Sequence, residues 1–121
     1  MNEIYQQAKL LQSELVKVRR EIHQNAEVGT QLPHTKALVK EKLIAYEYEP
    51  RDIANSSVVA TISGDLPGKT MLLRADMDGL AIQEEAALDF KCINGAMHGC
   101  GMTCIPPCCW APQNCLKNIK S

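Results

Sequence analysis

The sequence predicts an α/β domain, and three observations carry that prediction. A long apolar stripe at helical spacing opens the chain, a shorter helical stretch follows it, and two β-branched runs separated by turn residues come next. Two helices followed by strands within 121 residues fit one layered domain of ordinary size.

The first helix rests on Ile4, Ala8, Leu11, Leu15, Val18 and Ile22, whose spacings alternate between four and three residues. They share one face, with Lys9, Glu14, Lys17 and Arg20 off it. Gly29, at the end of N-A-E-V-G, is a natural stop. The second helix is predicted over residues 35–46, with Ala37, Leu38, Val39, Leu43 and Ile44 as its apolar positions. Pro33 precedes it and Pro50 lies beyond its end. The period then changes. S-V-V-A-T-I-S (57–63) and T-M-L-L-R-A (70–75) read as strands, and the G-D-L-P-G-K between them as turn. From Cys92 onward no periodicity remains.

Composition narrows the functional classes. A formal net charge of −1 argues against a nucleic-acid partner, whose footprint would be a basic excess. No apolar run approaches the roughly 18 residues of a membrane span. The opening M-N-E-I-Y-Q-Q lacks the basic and apolar regions of a secretory signal. A cytoplasmic chain with reduced thiols is expected. Aromatic residues make up only 4%, which is thin for an independent core.

Two apparent motifs carry less than they suggest. Gly68, Lys69 and Thr70 spell G-K-T, yet only three residues separate Gly64 from Gly68 where a phosphate loop needs four. The segment also leads into a predicted strand rather than a helix. The second motif is the tail M-H-G-C-G-M-T-C-I-P-P-C-C-W-A-P-Q-N-C (97–115), which holds five of the six cysteines and the only tryptophan. Cys100, Cys104 and Cys108 recur every four residues near His98, Cys109 and Cys115, a donor set that suits zinc. Paired C-x-x-C knuckles are missing, and Pro106, Pro107 and Pro112 stiffen the intervening backbone.

Three blocks point elsewhere. R-R-E-I-H-Q-N-A-E-V-G (19–29), L-L-R-A-D-M-D-G-L-A-I-Q-E-E (72–85) and M-H-G-C-G (97–101) follow one another in register. They resemble the amidohydrolase branch of the metal-dependent aminoacylase and carboxypeptidase family. That branch includes hippurate hydrolase, N-acyl-amino-acid deacylases and auxin-conjugate hydrolases, with motifs of the form R-R-x-L-H-x-x-P-E-L-G, L-R-A-D-M-D-A-L-P-I-x-E and M-H-A-C-G-H-D-x-H-T-A. The resemblance runs from about residue 10 to Gly101 and corresponds to about the first quarter of a family member. Ala26 and Ala81 stand where the family usually has proline, and Glu47 where it usually has glycine.

The resemblance implies the incomplete start of a zinc-peptidase-like α/β catalytic domain: two helices, then strands of a mainly parallel sheet, with an irregular C-terminal tail. It implies metal-dependent hydrolysis of the amide bond of N-acyl amino acids, a small-molecule substrate. The cofactor would be a divalent metal (zinc, manganese, cobalt or nickel). Cys100 matches a metal-ligating thiolate. Asp78 matches the acidic catalytic residue that orients a metal ligand without touching the ion, fixing its tautomer and basicity. Asp76 reads as structural and His98 as a pocket-wall or hydrogen-bonding group. Glu84 and Glu85 read as solvated charges, and His23 as the partner of a local hydrogen bond.

At Gly101 the resemblance stops, because Met102 and Thr103 stand where the family has His-Asp. The codons of this tail, read one base earlier, can encode H-D-M-H-T-A-M-L-L-G-A-A-K-L-L, which is the family's own continuation. The expected organisation is therefore a truncated catalytic-domain portion over 1–101 and an out-of-frame tail over 102–121. Such a chain would lack the remaining ligands, the general base and the family's dimer interface, so neither bound metal nor activity is expected of it. The alternative is a small cysteine-rich metal-binding or interaction module built on the tail.

Overall fold

The computed structural model describes residues 2–100. The tail reading, including the frame change after Gly101, falls outside the described residues. Helix α1 spans Asn2–Gln24 and α2 spans Pro33–Ala45; strands β1, Arg51–Ile53, and β2, Ser57–Val59, follow. Among the described residues no helix is long and apolar enough to cross a membrane.

Both helices stand where the apolar spacing puts them, although α2 begins two residues before the predicted 35. Pro33 at its start supplies a helical φ at a position whose N–H would need no intrahelical partner. The next free N–H groups are capped from a distance. The Glu27 carboxylate accepts hydrogen bonds from the backbone N–H of His34 at 3.1 Å and of Thr35 at 2.7 Å. Burial pushes the Glu27 carboxyl up, but the hydrogen bonds from Thr35 and His34 outweigh it and hold the group below the ordinary glutamate range.

The exit of α2 explains a departure seen in the sequence. Glu47 adopts φ 63°, the left-handed region. The N–H of Glu47 bonds the carbonyl of Ile44 at 2.9 Å, and that of Tyr48 bonds the carbonyl of Leu43 at 2.9 Å. This pair closes a helix through a left-handed residue that is usually glycine. Here a glutamate holds it, at a cost of about 1–2 kcal/mol from the Cβ clash.

The stripe on α1 is used unequally. Val18 and Ile22 are 2% and 1% exposed and join Leu38, Val39, Leu43 and Tyr48 in the main core. Leu11 and Leu15 are only partly covered, and Ala8 is exposed. Among the described residues, α2 and the segment after it cover the second half of α1 alone.

The strands differ more from expectation. β1 and β2 form an antiparallel hairpin with Asp52 opposite Val58. The run expected over 57–63 pairs only as far as Val59, and the run over 70–75 forms no strand. No ladder or bridge among the described residues includes 70–75, and β-propensity alone does not make a strand without a ladder partner. Among the described residues, the parallel pairing expected from the resemblance consists of a single parallel bridge, Val28 with Gly79. That bridge, together with an antiparallel one between Leu80 and Met97, positions the site.

Candidate functional site

The three sequence blocks meet at one place. The chain leaves α1 through Ala26, Glu27 and Val28, and the Gly79 N–H donates to the carbonyl of Glu27 at 2.7 Å. Leu80 and Met97 exchange two backbone hydrogen bonds, of 2.8 and 2.9 Å. Asn94 ties the third block to the first by donating its side-chain amide to the carbonyl of Ala26 at 2.9 Å. Ala26, Cys92 and Ala96, all 5% exposed or less, fill the interior of this junction. A side chain at Gly79 would crowd the junction, since a Cβ there would lie 3.1 Å from the Met97 carbonyl oxygen and 3.3 Å from the Ala26 Cβ. Ala26 stands at a position where the resembling motif has proline, and its small side chain is fully buried here.

Asp78 immediately precedes Gly79, so the junction fixes its backbone; its side chain is partly buried and borders a cleft of about 550 Å³. Val39, Leu43, Val58, Leu73 and Met77 line the same cleft. Cys100 lies three residues beyond Met97, exposed, and does not line it. Asp76 is exposed and pairs with Arg74 at 2.8 Å.

His98 is 5% exposed and also lies away from the cleft lining. Its ring packs 6.2 Å from that of His23, and neither ring nitrogen has a hydrogen-bond partner among the described residues. Burial and the nearby His23 hold its imidazole below the ordinary histidine range, against an opposing pull from Asp78. A neutral ring is what a metal ligand or a hydrogen-bond acceptor requires.

Two residues that the sequence placed at the surface or in local contacts belong to the interior. Glu84, expected to be a solvated charge, is 4% exposed. One of its oxygens accepts from His23 Nε2 at 2.8 Å, and the other accepts from the backbone N–H of Cys92 at 2.9 Å. The hydrogen bond from His23, then that from Cys92, holds the Glu84 carboxyl below the ordinary range despite burial. His23 thus bonds a residue 61 positions away rather than a local group. Phe90 closes the cluster, edge-on to His23 at 5.5 Å, with the Arg20 guanidinium 4.8 Å above its ring. The sequence did carry a signal: His23 and Glu84 both occupy lettered positions of the motifs quoted above, as Asp78 and Cys100 do.

Comparison with known proteins places this junction. No protein-family model matches the chain. It is 38% identical over 96 residues to thermostable carboxypeptidase 2 of Saccharolobus solfataricus, covering 77% of this chain and 24% of that protein. It is 39% identical over 98 residues to N-acetyldiaminopimelate deacetylase of Oenococcus oeni, covering 76% of this chain and 26% of that one. Among solved structures, a dinuclear metal-binding peptidase of the M20 family from Bacillus subtilis matches with TM-score 0.74 and 32% identity, over 78% of this chain and 27% of that chain. The chain belongs to the M20 family. It spans about a quarter of the length of the curated relatives it matches.

Seen as part of an M20 domain, the site is incomplete. No three His, Cys, Asp or Glu side chains among the described residues gather closely enough to hold a metal ion. The donor types suit a zinc-like ion, since Cys100 offers sulfur and His98 a neutral imidazole. A metal centre needs three or more protein ligands, and the described residues do not supply them.

Proposed function

We propose that this chain carries part of a catalytic domain for metal-dependent hydrolysis of the amide bond of N-acyl amino acids or related amides, and that the polypeptide as written is inactive. The observation that supports this most is the convergence of the three M20 blocks on one junction, with Asp78 and Cys100 on its two arms. In this reading Cys100 is the metal-ligating thiolate, and Asp78 orients a neighbouring ligand and fixes its proton. Residues 1–101 are the truncated domain portion, and 102–121 are the product of a frame change that replaces a histidine ligand with Met102. Among the described residues no three donor side chains gather, whereas a metal that would activate an attacking water needs three or more protein ligands, and this supports the inactive reading.

Two measurements test the two halves. Incubation of the purified chain with a panel of N-acyl amino acids and added divalent metals is expected to release no free amino acid; metal-dependent release would overturn the inactive reading. Resequencing the gene across the Gly101 and Met102 codons is expected to find a His-Asp pair in the neighbouring frame. A template without it would remove the frame-change reading.

A further inference from the structure

The buried Glu84 carboxylate hydrogen-bonds both α1 and the arm leading to Cys100. It takes a hydrogen bond from His23, in the last turn of α1, and a second from the N–H of Cys92. From Cys92 the chain runs through Asn94 and Ala96, both tied back to the junction, to Met97, whose bridge to Leu80 sits two residues from Asp78. We infer that Glu84 is a positioning residue: by bridging the His23 ring and the Cys92 N–H, it sets the arm bearing His98 and Cys100 against the segment bearing Asp78.

This inference rests on the reading of Asp78 and Cys100 as the residues of the site. The physical case rests on geometry and desolvation. A carboxylate this deeply buried persists only when both oxygens are satisfied, and these two are satisfied by partners on different segments. Its two hydrogen bonds therefore convert the fixed position of one helix end into a fixed position for a loop with no regular secondary structure of its own. Phe90, held between Arg20 and His23, anchors the same loop from its other side.

The variants E84A, E84Q and E84D of the full 121-residue chain separate this role from general stabilisation. Gln can still accept from the Cys92 N–H and donate its amide to the imidazole, so it keeps the bridge without the charge. Asp keeps the charge, but its shorter arm cannot reach both partners. The readouts are amide residual dipolar couplings of Met97, His98 and Gly99 and hydrogen exchange at Gly79, Leu80 and Met97. They are recorded at a temperature where circular dichroism shows unchanged helix content.

In E84A and E84D the couplings of the arm are expected to change while those of α1 stay, and exchange at the junction to speed about tenfold or more. E84Q is expected to restore both. Couplings in E84A identical to the parent chain would overturn the inference, as would rescue by Asp but not by Gln. If E84A loses its helices, the contrast between E84Q and E84D decides alone. None of these readouts requires metal or activity, so failure of the hydrolase reading would leave them unchanged, and their failure would leave that reading standing.

Discussion

The junction around Gly79 and the stretch from Thr61 to Arg74 both carry apolar side chains and meet opposite fates. At the junction, Ala26, Cys92 and Ala96 are at most 5% exposed, as is Ile22 in the adjoining main core, and backbone groups from three distant segments pair with one another. Along 61–74 every residue is exposed, with Leu66 at 86%, Met71 at 82% and Leu72 at 81%. Burial therefore follows the availability of partner backbone rather than the hydrophobicity of the segment. A β-prone run with no neighbour to pair with keeps its apolar side chains in water, which is an association hazard.

The largest expected contrast between the two regions is in stability. Ile22→Ala removes a fully buried side chain and is expected to cost about 2–5 kcal/mol, whereas Leu72→Ala should stay within about 0.5 kcal/mol. Urea unfolding followed by circular dichroism checks both, and equal losses would show that 70–75 is packed after all.

Crowding gives the next contrast. Gly79→Ala forces a Cβ against the Met97 carbonyl and is expected to cost about 1–3 kcal/mol. Gly68 has nothing within 4 Å of the same atom, so Gly68→Ala is expected to be neutral in the same unfolding measurement.

Acid should act on the closed region first. Glu84 and Glu27 both have carboxyls held below the ordinary value of 4.5, so the unfolded chain binds protons more readily there. Their contribution to stability is complete above that value and is lost as pH falls from it through the lowered folded values. Amide exchange at Cys92 and Thr35 should accelerate in that window ahead of exchange at Val58; simultaneous loss would mean that the carboxylates do not hold the junction.

The smallest effect is a gain. Glu47→Gly relieves the left-handed strain at the end of α2 and is expected to raise stability by about 1 kcal/mol, seen as a higher melting temperature. No gain would imply that the Glu47 side chain compensates for its backbone.

The two helices were legible in the sequence, because helical hydrogen bonds are local and apolar spacing reports the buried face directly, although α1 ends at Gln24, five residues before the expected stop at Gly29. The resemblance to metal-dependent amidohydrolases was also legible, since it rests on three spaced blocks of residue identities. The burial of Glu84 was not legible in the local pattern: its partners lie 8 and 61 residues away, and only its place in the motif separates the bridging glutamate from the exposed Glu85. Likewise the runs 57–63 and 70–75 had equal claims as strands, and pairing alone separated them. What the sequence determined by itself is what nearest neighbours along the chain decide: the helices and the ancestry carried by the motifs. Only the tertiary structure decided which charges are buried and which β-prone runs are paired, because both depend on segments that meet in space and are remote in the chain.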